Sequence, residues 1–178
     1  MKSIFIVLSL LSLVACSSRK PKFEKPTGTG EMITGTVNIT RSTPYQNIKR
    51  IPKNVTEQCT KIGDKVSRFT QEFGTKMNVK FKRAKKVSKK AKGNNLVIEI
   101  IDAVSSGNAF IGHRKSITIE AYLYKNGKLV DNISRTRNTS GGFAAGFKSS
   151  CDVLGRSAKT LGSDIATWVK RYTETKKM

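Results

Sequence analysis

The stretch Lys115-Ser-Ile-Thr-Ile-Glu-Ala-Tyr-Leu-Tyr-Lys-Asn-Gly-Lys128 decides the fold. Ile117, Ile119, Ala121 and Leu123 occupy every second position, with Thr118, Glu120, Tyr122 and Tyr124 between them. Side chains on a strand point alternately to opposite faces, so this pattern predicts a strand over 115–125 with one dry and one wet face. Asn126-Gly127 then closes a two-residue hairpin, because both positions tolerate the positive φ such a turn needs. A return strand is expected over Lys128–Arg137.

One apolar sheet face must be covered by something. On either side of the hairpin the chain supplies further strands and two helices. Leu96-Val-Ile-Glu-Ile-Ile-Asp-Ala-Val104 is β-rich and suits a central strand, whereas Ile33, Val37 and Ile39 alternate with Thr34, Thr36 and Asn38. A weaker strand is expected over Asn78–Arg83. Asn54 with Glu57 forms a capping box two residues after Pro52. From there Val55, Cys59, Ile62, Val66, Phe69 and Phe73 step by three and four, the stripe of an amphipathic helix. A second helix begins at the Ser149/Asp152 box and carries Cys151, Leu154, Ala158, Leu161, Ile165, Trp168 and Tyr172 at the same spacings. Gly155, Ala158 and Gly162 keep part of that face thin enough for close approach. The expected fold is α+β in two layers: an antiparallel sheet of about four to five strands, with two amphipathic helices on one face. The other face, through Thr34, Thr36, Thr118, Glu120, Tyr122 and Tyr124, is expected to be wet.

Ahead of this domain stands Met1-Lys2, an apolar run from Ile4 to Leu11, and Leu13-Val14-Ala15-Cys16. A positive start followed by a short apolar run is an export signal, too short for a comfortable membrane span of ~20 residues. Leu13-Val14-Ala15-Cys16 resembles the lipobox of bacterial lipoprotein precursors. That resemblance implies diacylglycerol on the Cys16 thiol, removal of residues 1–15 and, often, acylation of the new amine. By the sorting pattern of enterobacterial lipoproteins, Ser17 then implies the outer membrane, facing the periplasm. An ordinary leader cut after Cys16, with Val14 and Cys16 at its −3 and −1 places, is the competing reading. Residues 16–31, with Pro21, Pro26, Gly28 and Gly30 among lysines, are expected to be a solvated tether before a single domain over 32–178. In overall plan alone, that domain resembles small periplasmic α+β lipoproteins such as activators of peptidoglycan synthases.

With Cys16 committed to lipid, Cys59 and Cys151 remain as an even pair in an oxidising compartment, each near the start of a helix on its apolar stripe. A structural disulfide is the expected outcome, and two buried free thiols the alternative. Redox chemistry lacks a CxxC.

The chain of 178 residues carries 34 Lys and Arg against 12 Asp and Glu, a net +22. Charge of that size opposes compaction unless an anionic partner screens it, which points to lipid headgroups, lipopolysaccharide, acidic proteins or nucleic acid. The charge is densest at residues 76–92, where Lys76, Lys80, Lys82, Arg83, Lys85, Lys86, Lys89, Lys90 and Lys92 occur with no acid. Lys82, Arg83, Lys85, Lys86, Lys89, Lys90 and Lys92 are the candidate anion-binding residues. A merely solvated loop is the bland alternative. A nucleic-acid partner is disfavoured by the compartment and by the lack of interleaved aromatics beyond Phe81. The glycine-rich Ser140–Lys148 segment leads into a helix and could cradle an anion, although it matches neither nucleotide fingerprint.

Catalysis finds little support. His113 is the only histidine and reads as a solvated loop residue. Glu99 and Asp102, three apart on a strand, should point to opposite faces, unlike a glycosidase pair. No catalytic residue, metal site or cofactor is expected. The function expected is that of a non-catalytic envelope lipoprotein that binds a partner; the alternative is a basic binder of anionic polymers, whether lipopolysaccharide, cell-wall acid or nucleic acid.

Overall fold

The computed structural model describes residues 28–108, 112–140 and 149–173. The leader, Cys16, residues 17–27 and the glycine-rich segment 141–148 lie outside the described residues.

Five strands form one sheet: β1 (Val37–Thr40), β2 (Phe81–Ala84), β3 (Asn94–Asn108), β4 (Gly112–Lys125) and β5 (Lys128–Ser140), in the spatial order β2-β1-β3-β4-β5. The helices are α1 (Lys53–Gln58), α2 (Ile62–Lys76) and α3 (Ser150–Lys170). Sheet and helices make an α+β fold as expected. The expected hairpin is also present, with Asn126 at φ 51° and Gly127 at φ 82° in the turn between β4 and β5.

The sheet is mixed, not antiparallel throughout. β3, β4 and β5 run antiparallel, but β1 is parallel to both β2 and β3. The reason lies in the connections. β1 and β2 are separated by α1 and α2, and a helical crossover brings the chain back to the end where it started, which makes adjacent strands parallel. The weak strand expected near 78–83 is therefore β2, at one edge.

The expected first helix is two. Its stripe persists, with Val55, Cys59, Ile62 and Val66 all buried, but the helix breaks at Cys59–Lys61. At the break, Gly63 packs against the backbone carbonyl of Thr43, whose own N–H donates to Gly63 O at 3.0 Å. The Asn54/Glu57 box does not form: Pro52 stands at the N-cap, and the Asn54 amide donates instead to the carbonyl of Ser105 at 2.8 Å. The box on α3 does form. Ser149 caps the helix by accepting from the Asp152 N–H at 3.2 Å, while its hydroxyl donates to the Asp152 carboxylate at 2.8 Å.

The core lies between the helices and one sheet face, where Ile39, Leu96, Ile98, Ile100, Ile117, Ile119 and Leu123 meet Ile62, Leu154, Leu161 and Ile165, all fully buried. α2 and α3 lie close together: a Cβ on Gly162 would stand 2.6 Å from Phe69 Cβ and 2.8 Å from the α2 backbone. A disulfide joins Cys59, just past α1, to Cys151 in the first turn of α3, with the Cα atoms 5.2 Å apart. Among the described residues no helix is long and apolar enough to cross a membrane.

Order starts before Met32. The N–H groups of Thr29 and Gly30 donate to the carbonyls of Leu129 and Val130 at 3.0 and 2.9 Å, and Glu31 pairs with Lys125 at 2.6 Å. The last residues of the expected tether are thus laid against edge strand β5, beside the hairpin turn.

Candidate functional site

The basic run is built on a turn, an edge strand and a crossover. Lys76 ends α2 with its Nζ 5.4 Å from the centre of the Phe73 ring. Asn78, at φ 60°, lets the chain reverse tightly into β2, since asparagine tolerates the left-handed region. Within β2 the side chains alternate. Phe81 turns inward and packs against Gly74, Lys82 is exposed, and Arg83 turns back toward the helices.

Arg83 does not belong to the candidate surface. Its guanidinium pairs with Asp64 of α2 and donates to the backbone carbonyl of Arg41, so it ties β2 to the helix layer. An arginine at an inward position of a strand over an acidic helix is a structural clamp, and the parity of Phe81 and Arg83 carries that signal in the sequence.

Beyond β2, Lys85 and Lys86 are exposed, and residues 85–93 return to the start of β3. This segment crosses the sheet face opposite the helices. Lys89 Nζ stands 5.1 Å from the centre of the Tyr122 ring on β4. The far end of the crossover is pinned: the Asn95 side-chain amide donates to the carbonyls of Ala91, Lys92 and Gly93 at 2.9, 3.3 and 3.2 Å. Gly93, at φ 81°, exchanges two hydrogen bonds with Asn126 of the hairpin turn, at 2.8 and 2.9 Å. Hence Lys90 and Lys92 are exposed on a segment held in place, not on a loose loop. Among the described residues, Lys80, Lys82, Lys85, Lys86, Lys90 and Lys92 make no ion pair.

The face beneath Lys89 is less wet than its alternation implies. Glu120 is buried at 8 % exposure, and Tyr122 donates its hydroxyl to the Glu120 carboxylate at 2.8 Å. Burial first, then that hydrogen bond and the charges of Glu120 and Glu99, push the Tyr122 phenol up to about 12. Glu99 lies opposite Glu120 across the β3–β4 ladder, and Asp102 lies opposite Thr118. The expectation that Glu99 and Asp102 point to opposite faces is overturned. The register shifts between Ile100 and Asp102, and that extra residue carries both carboxylates onto one face.

Around edge strand β5 there is an open cleft of about 490 Å³ lined by Glu120, Tyr122, Asn132, Arg135, Trp168 and Arg171, among others. At its base, Asp131 accepts from Trp168 Nε1 at 2.8 Å and from the Tyr172 hydroxyl. Burial and the Asp131 carboxylate raise the Tyr172 phenol to about 12 against the opposing charge of Arg171. At the opposite end of the sheet Lys115 is buried, its Nζ donating to Ser105 Oγ at 2.9 Å, and burial lowers its pKa. Lys115 continues the inward parity of Ile117 and Ile119, so it too was marked in the sequence. His113, read as a loop residue, has its backbone in β4, paired with Gly107.

No family model and no curated protein matches this sequence. Among solved structures, the chain is similar to a Xanthomonas campestris protein described by the family label DUF330, at 11% identity and TM-score 0.50, over 82% of this chain and 89% of that one. It is also similar to a PelC dodecamer subunit from Paraburkholderia phytofirmans, at 12% identity and TM-score 0.46, over 85% and 94% of the two chains. A minor lipoprotein from Acinetobacter baumannii follows at 8% identity and TM-score 0.45, over 76% and 91%. The Xanthomonas likeness is one of fold alone, and the other two bear on neither fold nor function.

Proposed function

We propose that this chain is an exported lipoprotein of the bacterial envelope, anchored by lipid on Cys16 and acting by binding, not by turnover. Removal of residues 1–15 would leave residues 16–27 as the lipidated tether ahead of the folded domain. Ser17, by the sorting resemblance, assigns it to the outer membrane with the domain facing the periplasm. Several acyl chains, each contributing ~0.8 kcal/mol per buried CH₂, would hold such a protein stably, where one chain is marginal.

The observation that carries the binding reading is the crossover. Its lysines are exposed and lack ion pairs among the described residues, and its far end, residues 91–93, is fixed by Asn95 and Asn126. Unpaired cations beside that fixed end offer a surface for a partner of dense negative charge.

Two experiments test the reading. Fractionation and mass spectrometry of the native protein and its Cys16→Ala variant should show acylation and membrane association lost together; an unchanged membrane fraction refutes the anchor. Crosslinking and pulldown from intact envelopes, repeated with Lys85, Lys86, Lys89 and Lys90 all changed to Gln, test the surface. Capture of one protein regardless of those changes would place binding elsewhere. Salt-sensitive retention on any polyanion, lost in the variant, would favour a general binder of anionic polymers.

A further inference from the structure

We infer that the hairpin end of the sheet is a membrane-facing surface that docks on anionic lipid headgroups of the bilayer holding the tether. The inference rests on the anchoring proposed above and adds an orientation to it.

Three observations converge on that end. First, the described chain enters there. Gly30 N–H donates to Val130 O at 2.9 Å and Lys125 pairs with Glu31, so residues 28–31 run beside the turn at Asn126-Gly127. Second, the parallel pairing of β1 and β2 with β3 brings their starts to the same end, together with the C-terminus of α2; the end of α3 joins them, because Ile33 bridges to Thr173. Third, the side chains collected there are cationic. Lys76, Lys80, Lys90, Lys92, Lys128 and Arg171 are all exposed, from four separate segments of the chain. The acids near them are already engaged: Glu31 with Lys125, and Asp131 with Trp168 and Tyr172.

Reach makes the coincidence matter. The twelve residues 16–27 can reach at most ~40 Å, the limit for any chain of that length. The 15-residue β3 alone is about 50 Å long at ~3.3 Å per residue. A tether leaving the hairpin end therefore holds that end close to the bilayer. Each Lys or Arg near an anionic surface strengthens binding by about fivefold at low screening.

The test uses the mature chain with Cys16→Ser, so that no lipid contributes, in sedimentation with vesicles of phosphatidylcholine alone or with added phosphatidylglycerol. Changing Lys80, Lys90, Lys92 and Lys128 to Gln should weaken binding to the anionic vesicles by more than ~30-fold. The equal charge change Lys49, Lys53, Lys61 and Lys159 to Gln should weaken it by less than ~5-fold. Circular dichroism confirms that both variants are folded. Equal losses in the two variants, absence of binding to anionic vesicles, or an equal dependence on those four lysines for a DNA oligonucleotide would overturn the inference. Mass spectrometry of Cys16 from native membranes reports on the anchor alone, so its failure is distinguishable from failure of the headgroup surface.

Discussion

Two glycines on the same face of α3 should respond to alanine with opposite signs. Replacing glycine by alanine inside a helix gains about 0.8–1 kcal/mol from the restricted backbone of the unfolded chain. What the new methyl meets decides the rest. At Gly155 it would lie 2.9 Å from Lys65 Nζ, the free end of a flexible side chain that can swing away. At Gly162 it would lie 2.6 Å from Phe69 Cβ and 2.8 Å from both Phe69 C and Thr70 N, in the backbone of α2. Ordinary contact begins near 3.4 Å, so α2 and α3 must separate by several tenths of an ångström along a buried seam. Overpacking of that kind costs ~1–3 kcal/mol, and rigid backbone neighbours put this site in the upper part of the range. Gly155→Ala should therefore stabilise by ~0.5–1 kcal/mol, and Gly162→Ala should destabilise by ~1–2 kcal/mol net. In thermal unfolding followed by circular dichroism, that corresponds to roughly 2–4 °C upward and 3–6 °C downward for a domain of this size. A Gly162→Ala protein as stable as the parent would refute the close helix approach on which the two-layer packing depends.

Changing Cys59 and Cys151 together to Ala removes a bridge across a sequence separation of 92 and should lower stability by about 2–4 kcal/mol; parent and variant differing as little after reduction as before it would refute a structural role. Tyr122 and Tyr172 are held protonated up to about 12, and Tyr45 and Tyr124 are shifted the same way, by burial in the first case and by burial with Glu99 in the second. Because the folded values lie above the unfolded one, the folded state binds more protons between about pH 10 and 12, and stability should fall across that window. Absorbance of phenolate near 295 nm should rise later in the native protein than in guanidinium; coincident curves would refute the burial of these rings. Lys115 is shifted the other way by burial, with no carboxylate contact among the described residues, so its charged form opposes folding at neutral pH. Lys115→Met should raise stability at pH 7, and the parent should gain relative to that variant as pH climbs toward 10.5; a less stable variant at pH 7 would show that the ammonium is satisfied.

The parts of the fold legible in the sequence are those set by one element at a time. Ile117 to Leu123, the Asn126-Gly127 turn, the Ser149 cap and the stripe of α3 all follow from local periodicity or local turn chemistry, and all are present. What failed depended on two elements meeting. The order strand, helix, strand at 33–84 carried the parallel pairing, but reading each strand separately hid it. The extra residue between Ile100 and Asp102 is visible only once β4 supplies a register, and it reverses the side of the sheet on which Asp102 stands. The break at Cys59–Lys61 lies within an unbroken apolar stripe, because a disulfide and the Thr43 loop impose it from outside the helix. Arg83 looked like one cation among nine until Asp64 came beside it.

That last distinction bears on why the remaining cations are there at all. Arg83 holds β2 to α2, and Lys89 lies over Tyr122, so both have partners within the fold. Lys80, Lys82, Lys85, Lys86, Lys90 and Lys92 have no such ion pairs among the described residues; β2 is held by its pairing to β1, and the far end of the crossover by Asn95 and Asn126. Their charges thus add repulsion to a chain already at +22 and contribute little to holding its shape. On the function proposed above, a feature that opposes folding would find its balancing attraction in a partner outside the molecule. At the hairpin end, beside which residues 28–31 run, the proposed headgroup surface would supply that attraction.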